Sequence, residues 1–270
     1  MALSLRGVRK VFASGTPDER TAIDAVSLDV PDGSFVAVIG SNGAGKSTLL
    51  GVVAGQVGID AGTIAIDDHD ITTWPAHRRA ALVARVMQDP MLGTFPALTV
   101  EENLALADLR TAGRSLRAAL DATRRRRYAA LLGSFGLGLE QRLAARAGSL
   151  SGGQRQVLAL AMAVMHPPRV LLLDEHTAAL DPRTADLVMR ATLELVASNR
   201  ITTIMVTHNM QQAIEIGDRL LMMDAGRIRL DLAGDAKRRL SVEELVARFH
   251  LVDDKVLLSN AGPAAQGASR

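Results

Sequence analysis

Gly40-Ser41-Asn42-Gly43-Ala44-Gly45-Lys46-Ser47-Thr48 follows the apolar run Phe35-Val36-Ala37-Val38-Ile39 and precedes Leu49-Leu50-Gly51-Val52-Val53-Ala54. The order is strand, glycine-rich turn, helix, with the pattern G-x-x-x-x-G-K-S at the turn. Glycines let backbone N–H groups close around phosphate oxygens with no side chain in the way. The helix behind them points its N-terminus, and its partial positive charge, at the same phosphates. Lys46 supplies a full charge to the outer phosphates. Ser47 offers a hydroxyl to Mg²⁺, with Thr48 beside it. A glycine turn with a surface lysine is the plainer alternative, and the strand before and helix after argue against it.

The 270 residues suffice for one large domain or two small ones. Apolar residues make up 48% and aromatics only 3%, so the core must be aliphatic. With 31 basic and 29 acidic side chains, the balance argues against a nucleic-acid protein working through bulk charge. The absence of cysteine excludes disulfides and thiolate metal sites and fits a reducing compartment. Met1 to Lys10 lacks a hydrophobic signal core, and Val157 to Met165 is too short an apolar run to cross a bilayer. A soluble chain is expected, with any membrane role left to a partner.

Leu3, Leu5, Val8 and Val11 predict a first strand with imperfect alternation, followed by a polar loop from Ala13 to Thr21. Ile23 to Val30 predicts a second strand, closed by the turn Pro31-Asp32-Gly33. After the opening motif come a strand at Gly62 to Ile66, a helix at Pro75 to Leu82 and a strand at Val83 to Met87. Thr99 to Met165 reads as mostly helical, rich in Ala, Leu and Arg, with no strand in it. Strands at Val170 to Leu173 and Ile201 to Val206 bracket a helix at Arg183 to Ala197. Met210 to Gly217 reads as a short helix, and Asp224-Ala225-Gly226-Arg227 as a hairpin turn between Leu220–Met223 and Ile228–Leu230. Ser241 to Phe249 is a last helix, with Ser241 and Glu244 as a capping box. The tail from Ser259 is expected to be disordered. The fold class expected is α/β: a mainly parallel sheet with an antiparallel edge, interrupted by a helical insertion.

Two further stretches carry chemistry. Val170-Leu171-Leu172-Leu173 ends in Asp174-Glu175. Asp174 fits a carboxylate holding Mg²⁺ at a strand end, and Glu175 one that polarises a water facing the γ-phosphate. Two acidic residues capping a turn would be the simpler reading. Ser151-Gly152-Gly153-Gln154 opens a helix with bare backbone N–H groups, a second anion site. One nucleotide cannot easily use both helix starts of one copy, whereas two copies arranged head to tail can. A plain capped helix start remains the alternative.

Gly40 to Thr48, Gln88, Leu150 to Gln154, Asp174-Glu175, Ala178 to Asp181 and His208 resemble, in order and spacing, the motif set of ABC ATPases. The resemblance covers residues 3 to 250. More narrowly, Leu150 to Gln156, Asp174 to Pro182 and Val206 to Met210 resemble the ATPase component of bacterial importers assigned to tryptophan or tyrosine. It implies a P-loop core at 1–88 and 166–252, a helical signature subdomain at 89–165 and a tail at 253–270. It implies ATP and Mg²⁺ as ligands, with Ser41 to Thr48 around the phosphates and Ser47, Gln88 and Asp174 at the metal. Lys46, Gln88, Glu175 and His208 would be catalytic, His208 by a hydrogen bond to the γ-phosphate. Phe12 would stack on adenine, although a core aromatic closing the first strand would look the same. Ser151, Gly152, Gly153 and Gln154 would complete the site of a second copy, with Asp181 at the dimer interface. His176 stands where many relatives have Pro, and Ala178 where many have Ser; neither removes a phosphate or metal ligand.

The implied partners are a second copy, integral-membrane permease subunits and, indirectly, a periplasmic or lipid-anchored substrate-binding protein. The implied place is the cytoplasmic face of the inner membrane. Asp89 to Glu102, with Met91, Leu92 and Phe95, would grip the permease, a buried loop being the competing explanation. An exporter subunit and a non-transport ABC ATPase stay open. The second usually carries two cassettes, a long coiled coil or zinc cysteines, none of which is seen here. Arg124 to Arg127 and Lys237-Arg238-Arg239 read as solvated charge.

Overall fold

The computed structural model describes residues 1–109 and 121–248. Its first part holds β1 (Leu3–Phe12), β2 (Arg20–Val30), β3 (Phe35–Gly40), α1 (Lys46–Ala54), β4 (Ala61–Ile66), β5 (His69–Asp70), α2 (Ala76–Arg79) and β6 (Val83–Val86). Helices α3 (Val100–Asp108), α4 (Ala122–Gly133) and α5 (Gly152–Val164) follow. The chain then returns through β7 (Val170–Asp174), α6 (Pro182–Asn199), β8 (Thr202–Val206), α7 (Met210–Glu215), β9 (Arg219–Asp224), β10 (Arg227–Ala233) and α8 (Gly234–Arg238).

The larger sheet runs β10-β9-β3-β8-β7-β6, parallel throughout except for the β9–β10 hairpin at its edge. Parallel strands are covered on both faces, which is why β3 and β7 read as apolar runs; every residue of β7 and β8 is buried, the threonines of β8 included. The register sets Val86 beside Leu173, and Asp174 beside Val206. The segments leaving β3, β6, β7 and β8 therefore emerge at one edge, where open α/β sheets bind ligands.

The early strands form a separate antiparallel sheet, β2-β1-β4-β5, rather than an edge of the large one. Leu3, Leu5, Ile23 and Leu28 of that sheet pack with Leu49, Leu50 and Val53 of α1 and with Val36, Val38 and Leu172 of the other. The imperfect alternation of β1 has a local cause. The pairing slips between Leu5 and Val8, where Gly7 takes φ 55° and one residue bulges out. The opposite face of the large sheet carries Leu171, Leu173 and Met205, which pack with Val157, Leu160, Tyr128, Leu132 and Phe135 from α4, α5 and the turn after α4. Each fully buried side chain of this size contributes about 1.5–3 kcal/mol.

Several elements differ from expectation. β2 begins at Arg20, so the polar loop before it is shorter. The helix expected from Pro75 to Leu82 is only Ala76–Arg79. Arg79 is buried there and donates to the carbonyls of Val52, Val53, Thr72 and Trp74, so it caps the C-terminal end of α1. Arg125, Arg126 and Arg127 are exposed, as a solvated face would be, but the run also carries ion pairs. Arg125 grips Glu101 with two bonds, and Arg127 and Arg124 reach Asp108, stapling α4 to α3. Lys237, by contrast, is buried, its Nζ on the carbonyls of Ile214, Ile216 and Gly217 at the end of α7. The last helix runs over 242–248 with its capping box formed, Ser241 Oγ accepting from Glu244 N at 3.1 Å. Its expected end at Phe249 and the tail at 253–270 lie outside the described residues. No described helix is long and apolar enough to cross a membrane.

Candidate functional site

The turn from β3 into α1 closes tightly because its glycines carry no Cβ. A Cβ on Gly40 would overlap the Met223 carbonyl oxygen, and one on Gly45, at φ 99°, that of Ala22. Ala44 is buried and its carbonyl accepts from Gly226 N at 3.1 Å, which braces the turn against the β9–β10 hairpin. Lys46 is 8% exposed. Its Nζ curls back onto the Gly40 and Ser41 carbonyls at 2.8 and 2.9 Å. Burial pushes its pKa down, against the opposing fields of Glu175 and Asp174. A buried cation held only by carbonyls is well placed for an anion.

Ser47 Oγ donates to Asp174 Oδ1 at 3.2 Å, joining the start of α1 to the end of β7. These are hard oxygens, the donor type Mg²⁺ takes. The other Asp174 oxygen accepts from Arg85 Nη2 at 2.6 Å. One residue on, Glu175 sits at φ 46°, a left-handed conformation that costs a non-glycine residue about 1–2 kcal/mol. Its N–H bonds to Val206 O at 3.0 Å. That turn brings Oε2 to 3.4 Å from Gln88 Nε2 and 3.4 Å from His208 Nδ1. His208 is therefore a surface histidine by exposure and part of the site by position.

Lys46, Ser47, Gln88, Glu175 and His208 line a cleft of about 580 Å³, together with Phe12, Asn42, Gly43, Gly45 and Thr48, while Asp174 is not on its wall and meets it through Ser47. That volume suits a bound small molecule. Phe12 is 41% exposed on its rim, so it is not a core aromatic. Lys10 Nζ lies 5.4 Å from its ring centroid.

The second set of predicted residues lies elsewhere. Ser151 Oγ accepts from Gln154 N at 3.2 Å, and Gln154 Oε1 takes Ser151 N and Arg142 in return. A Cβ on Gly153 would overlap the Thr184 methyl, so α5 and α6 meet closely there. Asp181 caps α6 through Thr184 N at 3.1 Å, and this bonding lowers its pKa. Neither Ser151 to Gln154 nor Asp181 lines the cleft of its own chain. Sequence reasoning missed Arg20 and Ala22 on the cleft wall and Arg85 on Asp174. Arg20 donates to the Gly43 carbonyl at 2.8 Å and gave no sign in the sequence. Arg85 did, as a charge inside the apolar run Val83 to Met87.

A family model described as ABC transporter matches residues 23–178. A tyrosine transport ATP-binding protein of Clostridioides difficile is 42% identical over 247 residues, covering 92% of this chain and 98% of that protein. An aliphatic sulfonates import ATP-binding protein of Burkholderia ambifaria is 37% identical, covering 100% of this chain and 76% of its own. Among solved structures, a dimeric ATP-binding cassette in a post-hydrolysis state bound to ADP and Pi superposes with a TM-score of 0.74 at 27% identity. It covers 86% of this chain and 98% of that one.

Proposed function

The chain belongs to the ABC transporter family, and on that premise we propose that it is the ATP-hydrolysing subunit of an importer for amino acids or related small solutes. The observation that carries the reading is the meeting of Gln88 and His208 on one oxygen of Glu175, beside the Ser47–Asp174 pair and Lys46. Phe12 offers its exposed face to adenine. The loop amides and Lys46 hold the phosphates. Ser47 and Asp174, with Gln88 assisting, hold Mg²⁺, whose charge offsets that on the outer phosphates. Glu175 takes a proton from the water that attacks the γ-phosphorus as the bond to the β–γ bridging oxygen breaks. His208 hydrogen-bonds the γ-phosphate, and Gln88 orients the water.

A second copy, head to tail, supplies Ser151 to Gln154 to the same nucleotide, with Asp181 at the interface. The dimeric, ADP-bound cassette supports that arrangement, as does the absence of the Ser151 turn from the wall of its own chain's cleft. Residues 89–165 are the unit that carries this turn toward the partner. A groove of about 310 Å³ lined by Ala84, Val86, Phe95 and Met162 receives a cytoplasmic helix of a permease. Phe95 and Leu92 stand exposed beside it at 54% and 72%. The subunit works at the cytoplasmic face of the inner membrane, downstream of a substrate-binding protein. The import and tyrosine-transport relatives support the direction and the solute class.

Glu175→Gln keeps the shape of the site and removes the base. It should bind ATP as the wild type does while single-turnover hydrolysis falls about 10²–10⁴-fold. Near-normal hydrolysis would take Glu175 out of that role.

A further inference from the structure

β6 turns two kinds of side chain to two sides of the sheet. Ala84 and Val86 join the cluster beneath the helices and line the apolar groove. Arg85, between them, also borders that groove but sends its guanidinium toward α1. Its side chain is 11% exposed. Nη2 donates to Asp174 Oδ2 at 2.6 Å and reaches the Ser47 carbonyl at 3.4 Å, while Nη1 donates to Gln56 just beyond α1. The Nε–H is buried and has no partner. An unpaired buried donor is unfavourable, so the fork is seated where the carboxylate needs it rather than where its own donors pair best.

A lone carboxylate at a strand end can swing about its last bond and present either oxygen. Here the guanidinium takes Oδ2, and Oδ1 is left to face Ser47. One charge-assisted N–H on Oδ2 holds that oxygen and leaves the other free. Groups that hold a metal ligand from behind in this way commonly set metal affinity. We propose that Arg85 is a positioning residue that aims Asp174 at the Mg²⁺ site. The inference rests on the nucleotide-site reading above.

The test uses Mn²⁺ as a spectroscopic stand-in for Mg²⁺ and ADP as a nucleotide that does not turn over. Mn²⁺ affinity at saturating ADP is measured by electron paramagnetic resonance for the wild type, Arg85→Ala and Arg85→Lys. ADP affinity in excess EDTA is measured alongside. Arg85→Ala should weaken Mn²⁺ binding about 10–100-fold and leave metal-free ADP affinity within about threefold. Arg85→Lys, which still reaches the carboxylate, should regain most of the lost Mn²⁺ affinity. Mn²⁺ affinity within about twofold of wild type in Arg85→Ala overturns the proposal. So does an equal loss of metal-free ADP binding, because that marks a role in folding. A wild-type protein that binds no ADP in EDTA would sink the nucleotide-site reading itself, a different failure.

Discussion

His176 follows Glu175 and is 2% exposed, and its Nε2 has no partner. Burial pushes its pKa from 6.5 down to about 4, so the ring is neutral at pH 7. Between those values the unfolded chain binds a proton that the folded chain refuses. Stability therefore falls as pH drops through 6.5 toward 4. From pH 7 to pH 5 this one group removes about 2 kcal/mol. His176→Phe deletes the titration and keeps an apolar ring in the space. Its urea-unfolding free energy should lose about 2 kcal/mol less than the wild type over the same interval. Identical pH profiles would show that His176 does not titrate this way. At this scale the sequence revealed those residues whose neighbours along the chain declare them. Lys46 and Ser47 stand in a glycine turn, and Asp174 and Glu175 end an apolar strand. Arg20 was hidden because its partner, Gly43, lies 23 residues away, and Arg85 showed only as a charge in an apolar run, its partner Asp174 lying 89 residues away.

Elements were legible where hydrophobic pattern alone decides them, as in β3, β7 and β8. They were misread where a charge turns inward to a partner distant in sequence. The arginines of α4 are an intermediate case: Arg125 and Arg127 stay exposed, as on a wet face, yet pair with carboxylates of α3. Asp108 is 6% exposed and takes Arg127, Tyr128 Oη at 3.1 Å and His166 Nε2 at 2.9 Å. It thus joins α3, α4 and the segment after α5. Asp108→Asn keeps the volume and removes the charge, leaving the arginines to repel each other and the buried Tyr128 with a weaker acceptor. Arg127 is 51% exposed, so solvent screens part of the effect. Urea unfolding should show a loss of about 1–3 kcal/mol. An unchanged midpoint and slope would mean that the apolar contacts of Tyr128 and Leu132 hold these helices alone. The Lys237 cluster repeats the lesson, since a lysine that caps three carbonyls is indistinguishable in sequence from one in water.

For the whole molecule, the decisive feature is the separation of two helix starts on one chain. The loop at α1 lines the cleft, and the Ser151 turn at α5 does not. If two copies close head to tail, each site takes its loop from one copy and its Ser151 turn from the other. Lys46→Ala removes the buried cation and should silence one half-site. Ser151→Glu keeps a side-chain oxygen acceptor at the start of α5 but sets negative charge against the γ-phosphate, silencing the other half. Either variant alone carries one lesion in both of its sites and should be inactive. Mixed in equal amounts, half of the dimers combine the two. In those, one site bears both lesions and the other bears none. ATPase activity should return to about a quarter of wild type if the sites act independently, and lower if they are coupled. A chain that hydrolyses ATP within its own cleft predicts no recovery at any ratio. Activity no greater than that of the two variants measured apart would therefore refute a shared site whose two copies act independently.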